Sequence, residues 1–329
     1  MTVTREDIER AAARIAGRVR RTPVMEGEPG LLLKLEGLQH AGSFKVRGAF
    51  NRILSAGRLP ASGVTAASGG NHGVAVAYAA RVLGVRAEIF VPEICAPIKV
   101  AGLRALGAHV TQTGAIFAEA YEASAKRAAD TGALDIHAYD QAEVVAGQGT
   151  VGLEILEQAR AAGGVDTILV AVGGGGLVGG IVAAVAGAAR VVAVEPERIP
   201  TLHEALARGG GPVQVEVSGV AADALGASRI GRIGLDIVRE AGVRAVLVGD
   251  DAIVRAREEL WRDHRIAAEH AGATALAALR SGAYVPEPGE RVAVLVCGAN
   301  TDPATLVASQ MVAAQVEPFE GGEVSQRLG

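Results

Sequence analysis

Aromatic side chains are scarce. Phe, Tyr and Trp make up 3% of the 329 residues, with a single Trp. The core must therefore come from Ala, Val, Leu and Ile, and hydrophobic residues reach 50%. Cysteine is nearly absent: Cys95 and Cys297 alone exclude a disulfide framework and favour a cytoplasmic protein. No apolar run is long enough to span a bilayer, the longest lying around 177–189. The first residues, Met1-Thr2-Val3-Thr4-Arg5-Glu6-Asp7, lack the apolar segment of a secretion signal. Basic residues occur singly or in pairs and the net charge is −4, so neither nucleic acid nor membrane is an expected partner. Charged residues are 21%, a globular proportion.

Glycine, by contrast, is abundant at 44 residues. Short β-branched runs alternate with longer Ala-rich stretches. Strands are predicted at 31–36, 64–67, 87–91, 167–172, 191–195, 245–248 and 292–296, most of them continuous apolar runs of the kind parallel sheets bury on both faces. Helices are predicted at 5–20, 44–56, 73–83, 98–106, 115–129, 143–161, 177–186, 251–263 and 273–280. The alternation implies an α/β fold with open, mainly parallel sheets, which bind ligands beyond the carboxyl ends of their strands.

Three turns fall at such ends. Gly173-Gly174-Gly175-Gly176-Leu177 runs from strand to helix, and its glycines would let several N–H groups and a helix N-terminus face one anion. Gly174 to Gly179 also fits G-x-G-x-x-G, with Glu195 one strand later where a ribose-binding acid would sit, so an NAD-dependent oxidoreductase is a rival reading. Ser68-Gly69-Gly70-Asn71-His72-Gly73 opens a helix whose free N–H groups could hold a carboxylate, and Asn71 could donate to a phenolate oxygen. Cys297-Gly298-Ala299-Asn300 ends the last strand. Lys45, set between Phe44 and Val46 and flanked by glycines, fits a partly desolvated amine able to condense with a carbonyl.

Together these segments resemble the fold-type II pyridoxal-phosphate enzymes, and within them the serine/threonine dehydratase and serine racemase group. Five motifs stand in that family's order: Ser43-Phe44-Lys45-Val46-Arg47-Gly48-Ala49, Ser68 to Gly73, Ala146-Gly147-Gln148-Gly149-Thr150, Val172 to Leu177, and Cys297 to Asn300. The resemblance implies a tryptophan synthase β-like fold of two twisted sheets. A larger domain would take both chain ends, 1–50 and 142–329, and a smaller one residues 51–141. It implies pyridoxal 5′-phosphate as cofactor, with Lys45 as its imine-forming lysine and proton carrier and Phe44 beside the ring. Gly173, Gly174, Gly175, Gly176 and Leu177 would hold the phosphate, Asn71 the ring O3′, and Cys297 would face the ring nitrogen. Ser68, Gly69, Gly70, His72 and Gln148 would surround the substrate. The implied reaction is β-elimination from L-threonine or L-serine to a 2-keto acid and ammonia, with a homodimer as the expected assembly.

The alternatives inside the resemblance are a serine racemase and a 3-hydroxyaspartate dehydratase. Racemase members carry a second serine where Gly69 stands, and a glycine cannot return a proton. A non-catalytic amino-acid binder is a third possibility. Glu195-Pro196 matches the start of the family's cation site, so Glu195 is expected as a ligand for a mono- or divalent cation. Thr201 replaces an aspartate of that site, which should weaken it. Glu269 is followed by His270 where the family has proline, and an ungapped comparison sets Tyr121 where racemases have arginine. The chain ends about thirty residues after Cys297, so no C-terminal regulatory domain is expected.

Overall fold

A computed structural model describes residues 2–306. Residues 307–329, on which the expectation about a regulatory domain bears, lie outside the described residues. Ten strands are present among them: β1 (Val24–Glu26), β2 (Leu31–Leu35), β3 (Val64–Ala67), β4 (Ala87–Val91), β5 (His109–Gln112), β6 (Leu134–Asp135), β7 (Thr167–Ala171), β8 (Arg190–Pro196), β9 (Arg244–Val248) and β10 (Val292–Val296). The helices are α1 (Arg5–Ile15), α2 (Lys45–Ser55), α3 (Asn71–Leu83), α4 (Pro97–Ala105), α5 (Phe117–Thr131), α6 (Ala142–Gln158), α7 (Gly176–Val185), α8 (Thr201–Ala207), α9 (Ala222–Leu225), α10 (Arg232–Glu240), α11 (Asp250–His264) and α12 (His270–Ser281).

The strands form two sheets. The larger runs β1-β2-β10-β7-β8-β9, parallel except for β1, and the smaller runs β5-β4-β3-β6, all parallel. This is the fold class the sequence implies. Each central strand is buried along its whole length, as helices on both faces require. The register places Leu35, Val296 and Ala171 towards one edge of the larger sheet, so the turns after β2, β10 and β7 open on the same side.

All seven expected strands are present, with ends adjusted. Helix α1 stops at Ile15 rather than residue 20, because Gly17 turns the chain into the left-handed region at φ +74°. Helix α3 begins at Asn71, two residues before the expected start, which brings His72 into its first turn. Three short or polar strands (β1, β5, β6) and three helices (α8, α9, α10) were not expected from the sequence.

One buried charged cluster lies beneath the start of α2. Arg47, Glu36 and Lys34 are each 0% exposed. Arg47 donates to Glu36 Oε2 at 2.8 Å and Oε1 at 2.7 Å, and to Glu154 Oε1 at 2.7 Å. Lys34 Nζ donates to Glu154 Oε2 at 2.6 Å, Thr22 O at 2.7 Å and Gln158 Oε1 at 2.8 Å. Burial alone would raise the Glu36 pKa, but the adjoining Arg47 guanidinium outweighs it and holds the carboxyl below its ordinary range. The cluster ties β2, α2 and α6 together two residues from Lys45.

Candidate active site

Helix α2 starts at Lys45, and the strand-end bridge between Ser43 and Gly298 fixes the chain just before it. Phe44 N–H donates to Cys297 O at 3.2 Å, so the lysine is held against the end of β10. Its Nζ donates to Ala138 O at 2.8 Å. That carbonyl belongs to a turn held by His137, whose Nδ1 accepts from Tyr139 N–H at 3.1 Å and Asp140 N–H at 2.9 Å. Burial pushes His137 down to about 4, which keeps the ring a neutral acceptor. Burial also lowers the Lys45 amine to about 8, against the raising influence of Cys297 and Glu269.

The same cavity reaches Gly173, Gly174, Gly175, Gly176 and Leu177. Gly175 caps α7 at φ +85°, a conformation costly for other residues. Among the described residues no backbone carbonyl accepts from the N–H of Gly173, Gly174 or Gly175, and the first N–H groups of α7 have no partner within the helix. A Cβ on Gly174 would stand 2.2 Å from the Tyr139 ring, so the backbone approaches as only glycine permits. These N–H groups can take an anion without any cationic side chain.

Asn71 stands at the start of α3 and lines the cavity beside Lys45. Its Nδ2 donates to Glu269 Oε1 at 2.6 Å and its Oδ1 accepts from Asn300 Nδ2 at 2.7 Å. Burial raises Glu269 to about 7, only partly countered by the Asn71 bond. Cys297 is 2% exposed and donates to Ala271 O at 3.5 Å. Burial pushes its thiol far above the ordinary cysteine range, so it remains neutral. Phe44 and Gln148 complete the wall, but the Gln148 amide is turned away, its Oε1 accepting from Gly48 N–H at 3.1 Å.

Three expected residues take other roles. His72 was expected near a substrate carboxylate. It is 5% exposed, its Nε2 is 2.8 Å from Ile136 O, and burial lowers it to about 3, so it links α3 to β6 as a neutral ring. Ser68 Oγ accepts from Gly70 N–H at 3.1 Å and shapes the turn. Gly69 and Gly70 border an outer cavity, not the chamber around Lys45. Glu195 was expected to bind a cation or a ribose. It is 0% exposed, and it accepts from Leu202 N–H at 2.7 Å, His203 N–H at 2.8 Å and Thr201 Oγ1 at 3.1 Å. Both its oxygens therefore serve the start of α8. Among the described residues, no group of three or more His, Cys, Asp or Glu is arranged to hold a metal ion.

Tyr139 was not among the expected site residues, and Glu269, which the resemblance sets near the cofactor, had no role assigned. Glu269 has a local signal, since it directly precedes a helix next to the motif turns. Tyr139 has none: its contact with Gly174 arises because the β6–α6 connection folds over the start of α7.

An amine of lowered pKa, an anion cradle of bare main chain, a carboxamide and a neutral thiol share one chamber. That set fits a flat molecule bearing both an aldehyde and a phosphate. Residues 15–298 match the family described as pyridoxal-phosphate dependent enzyme. The chain is 38% identical to an L-threonine ammonia-lyase of Geobacter sulfurreducens, over 91% of this chain and 76% of that protein. It is also 38% identical to a phenylserine dehydratase of Ralstonia pickettii, over 92% of this chain and 96% of that one. The structure of maize serine racemase superposes with a TM-score of 0.86 at 32% identity, covering 96% of this chain and 99% of the other. The NAD reading is thereby displaced, and the chain belongs to the pyridoxal-phosphate dependent enzymes of fold type II.

Proposed function

We propose that this enzyme removes the β-hydroxyl group of a β-hydroxy amino acid, L-threonine or L-serine in the first instance, and releases a 2-keto acid and ammonia. The observation that carries the proposal is the placement of Lys45 and the tetraglycine turn in one cavity. Pyridoxal phosphate, when bound, supplies an aldehyde that condenses with amines and a ring that draws electron density from Cα. Lys45 is the residue that would capture the aldehyde, and as a free amine it would take the Cα proton. Gly173, Gly174, Gly175, Gly176 and Leu177 would hold the phosphate through main-chain N–H groups. Asn71 would donate to the ring oxygen and Phe44 would pack against the ring. The first turn of α3, whose N–H groups have no backbone acceptor among the described residues, would receive the substrate carboxylate, with Gly69 and Gly70 before it. Cys297 offers no charge that would keep a ring nitrogen protonated. That favours prompt loss of a β-leaving group over a long-lived carbanion.

Racemisation needs a second proton carrier on the opposite face. Gly69 has no side chain, and Cys95 Sγ stands 2.7 Å from where a Cβ would be, so position 69 has no room for one without a shift. This favours elimination. Residues 51–141 are taken as a smaller domain, and the homodimer and the cytoplasm belong to the same proposal. Among the described residues no helix is long and apolar enough to cross a membrane. Measured mass in solution tests the dimer.

Reconstitution with pyridoxal phosphate should give a visible absorption band, and L-threonine or L-serine should then yield keto acid. Absence of keto acid from every β-hydroxy amino acid would refute the proposed reaction. The rate of cofactor capture should rise with pH through about 8, where the Lys45 amine loses its proton. A stopped-flow rate that stays flat between pH 7 and 9 would contradict that role. Gly175→Val should weaken cofactor binding by about a hundredfold through the lost donor geometry, with a stability loss of about 1–3 kcal/mol from the positive φ. Titration of the apoprotein reads the first effect, and unchanged affinity would count against the cradle.

A further inference from the structure

A second cavity of ≈ 760 Å³ adjoins the Lys45 chamber, sharing Asn71, Ala224, Glu269 and Ala271 with it. Its size lies within the range of small-molecule sites. Gly69, Gly70 and Asn71 of the α3 turn line this space, so a substrate with its carboxylate there and its Cα beside Lys45 has this space next to its β-substituent. A methyl or a hydrogen would leave most of it to water.

The walls are chiefly apolar and small. Val74, Ile98, Val220, Ala224, Ala299 and Pro303 face it. Ile98 is 82% exposed at the start of α4, apolar surface that a ligand in the cavity can cover. The polar complement is unsuited to an acidic substituent. Lys99, the one Lys or Arg on the lining among the described residues, is already paired with Asp223. Asp302 adds an acidic side chain, and burial lowers the His270 pKa, which disfavours a second cation on the wall. A second substrate carboxylate would find one engaged cation and three acidic side chains, Asp223, Glu269 and Asp302.

Resting on the elimination reading above, we infer that the preferred substrate is a β-hydroxy amino acid with an apolar, aryl-sized β-substituent, and that Ile98 is a specificity-determining residue. Covering an aryl ring removes far more apolar surface from water than covering a methyl group.

The test uses the reconstituted holoenzyme with β-phenylserine, L-threonine and 3-hydroxyaspartate, following keto-acid release. The expected kcat/KM for β-phenylserine exceeds that for threonine by about tenfold or more, with 3-hydroxyaspartate below threonine. A ratio below about ten, or preference for 3-hydroxyaspartate, overturns the inference while leaving elimination intact. No keto acid from any of the three overturns both. Ile98→Ser, on an exposed helix position, should reduce the phenylserine-to-threonine ratio by about threefold or more, chiefly through KM. An unchanged ratio overturns the role of Ile98.

Discussion

Lys45→Ala is expected to lose keto-acid production by at least about a thousandfold, because one amine both captures the cofactor and moves the Cα proton. The variant should still fold. Among the described residues the Lys45 side chain forms one hydrogen bond, to Ala138 O, and its removal relieves a desolvated amine. It should still take up pyridoxal phosphate through the glycine turn, but without the band of the covalent adduct. A small primary amine added at high concentration should restore part of the proton transfer. Turnover within about tenfold of the parent would refute the assignment outright. Loss of activity together with a collapsed thermal transition would instead mark Lys45 as structural.

Arg47→Ala should have the largest effect on stability, a loss of about 3–5 kcal/mol, because it strands Glu36 in a fully buried place. Urea denaturation of the apoprotein measures it, and a loss below about 1 kcal/mol would show that water reaches the cluster. The pH dependence has a definite sign. With Arg47 present, the Glu36 carboxyl titrates below its unfolded value, so its contribution is full above that value and fades as pH falls through the folded one. Without Arg47, burial acts unopposed and the folded pKa rises, so the acid is tolerated best when protonated. The stability gap between parent and variant should therefore narrow on acidification from pH 7 towards the range where carboxylates titrate.

Continuous apolar runs such as Thr167–Ala171 and Val292–Val296 could be read as buried strands because parallel sheets covered on both faces impose that composition. His109–Gln112 was missed because it is an edge strand with polar residues at both ends, and Leu134–Asp135 because two residues carry no period. The chamber was legible where backbone chemistry demands particular residues, as at Gly175 and at Lys45. It was not legible where a residue's partner comes from a distant segment. The sequence shows Glu195 at a strand end, but not that α8 turns its first N–H groups onto it. It shows His72 in a motif, but not that the early start of α3 rotates the ring towards Ile136. Tyr139 reaches Gly174 only through the connection between β6 and α6.

The carboxamide of Asn71 is already engaged at both ends, by Glu269 and by Asn300. Its Nδ2 carries two N–H groups and Glu269 takes one, so a ligand oxygen can accept from the other while both resident bonds stay. The gain is one further bond on an amide already held, so this residue should orient the ring at little cost in ordering. Burial has raised Glu269 to about 7, so the acid can take up or give up a proton near physiological pH as the ring arrives. Glu269 and Asn300 thus brace the amide in position before a guest arrives.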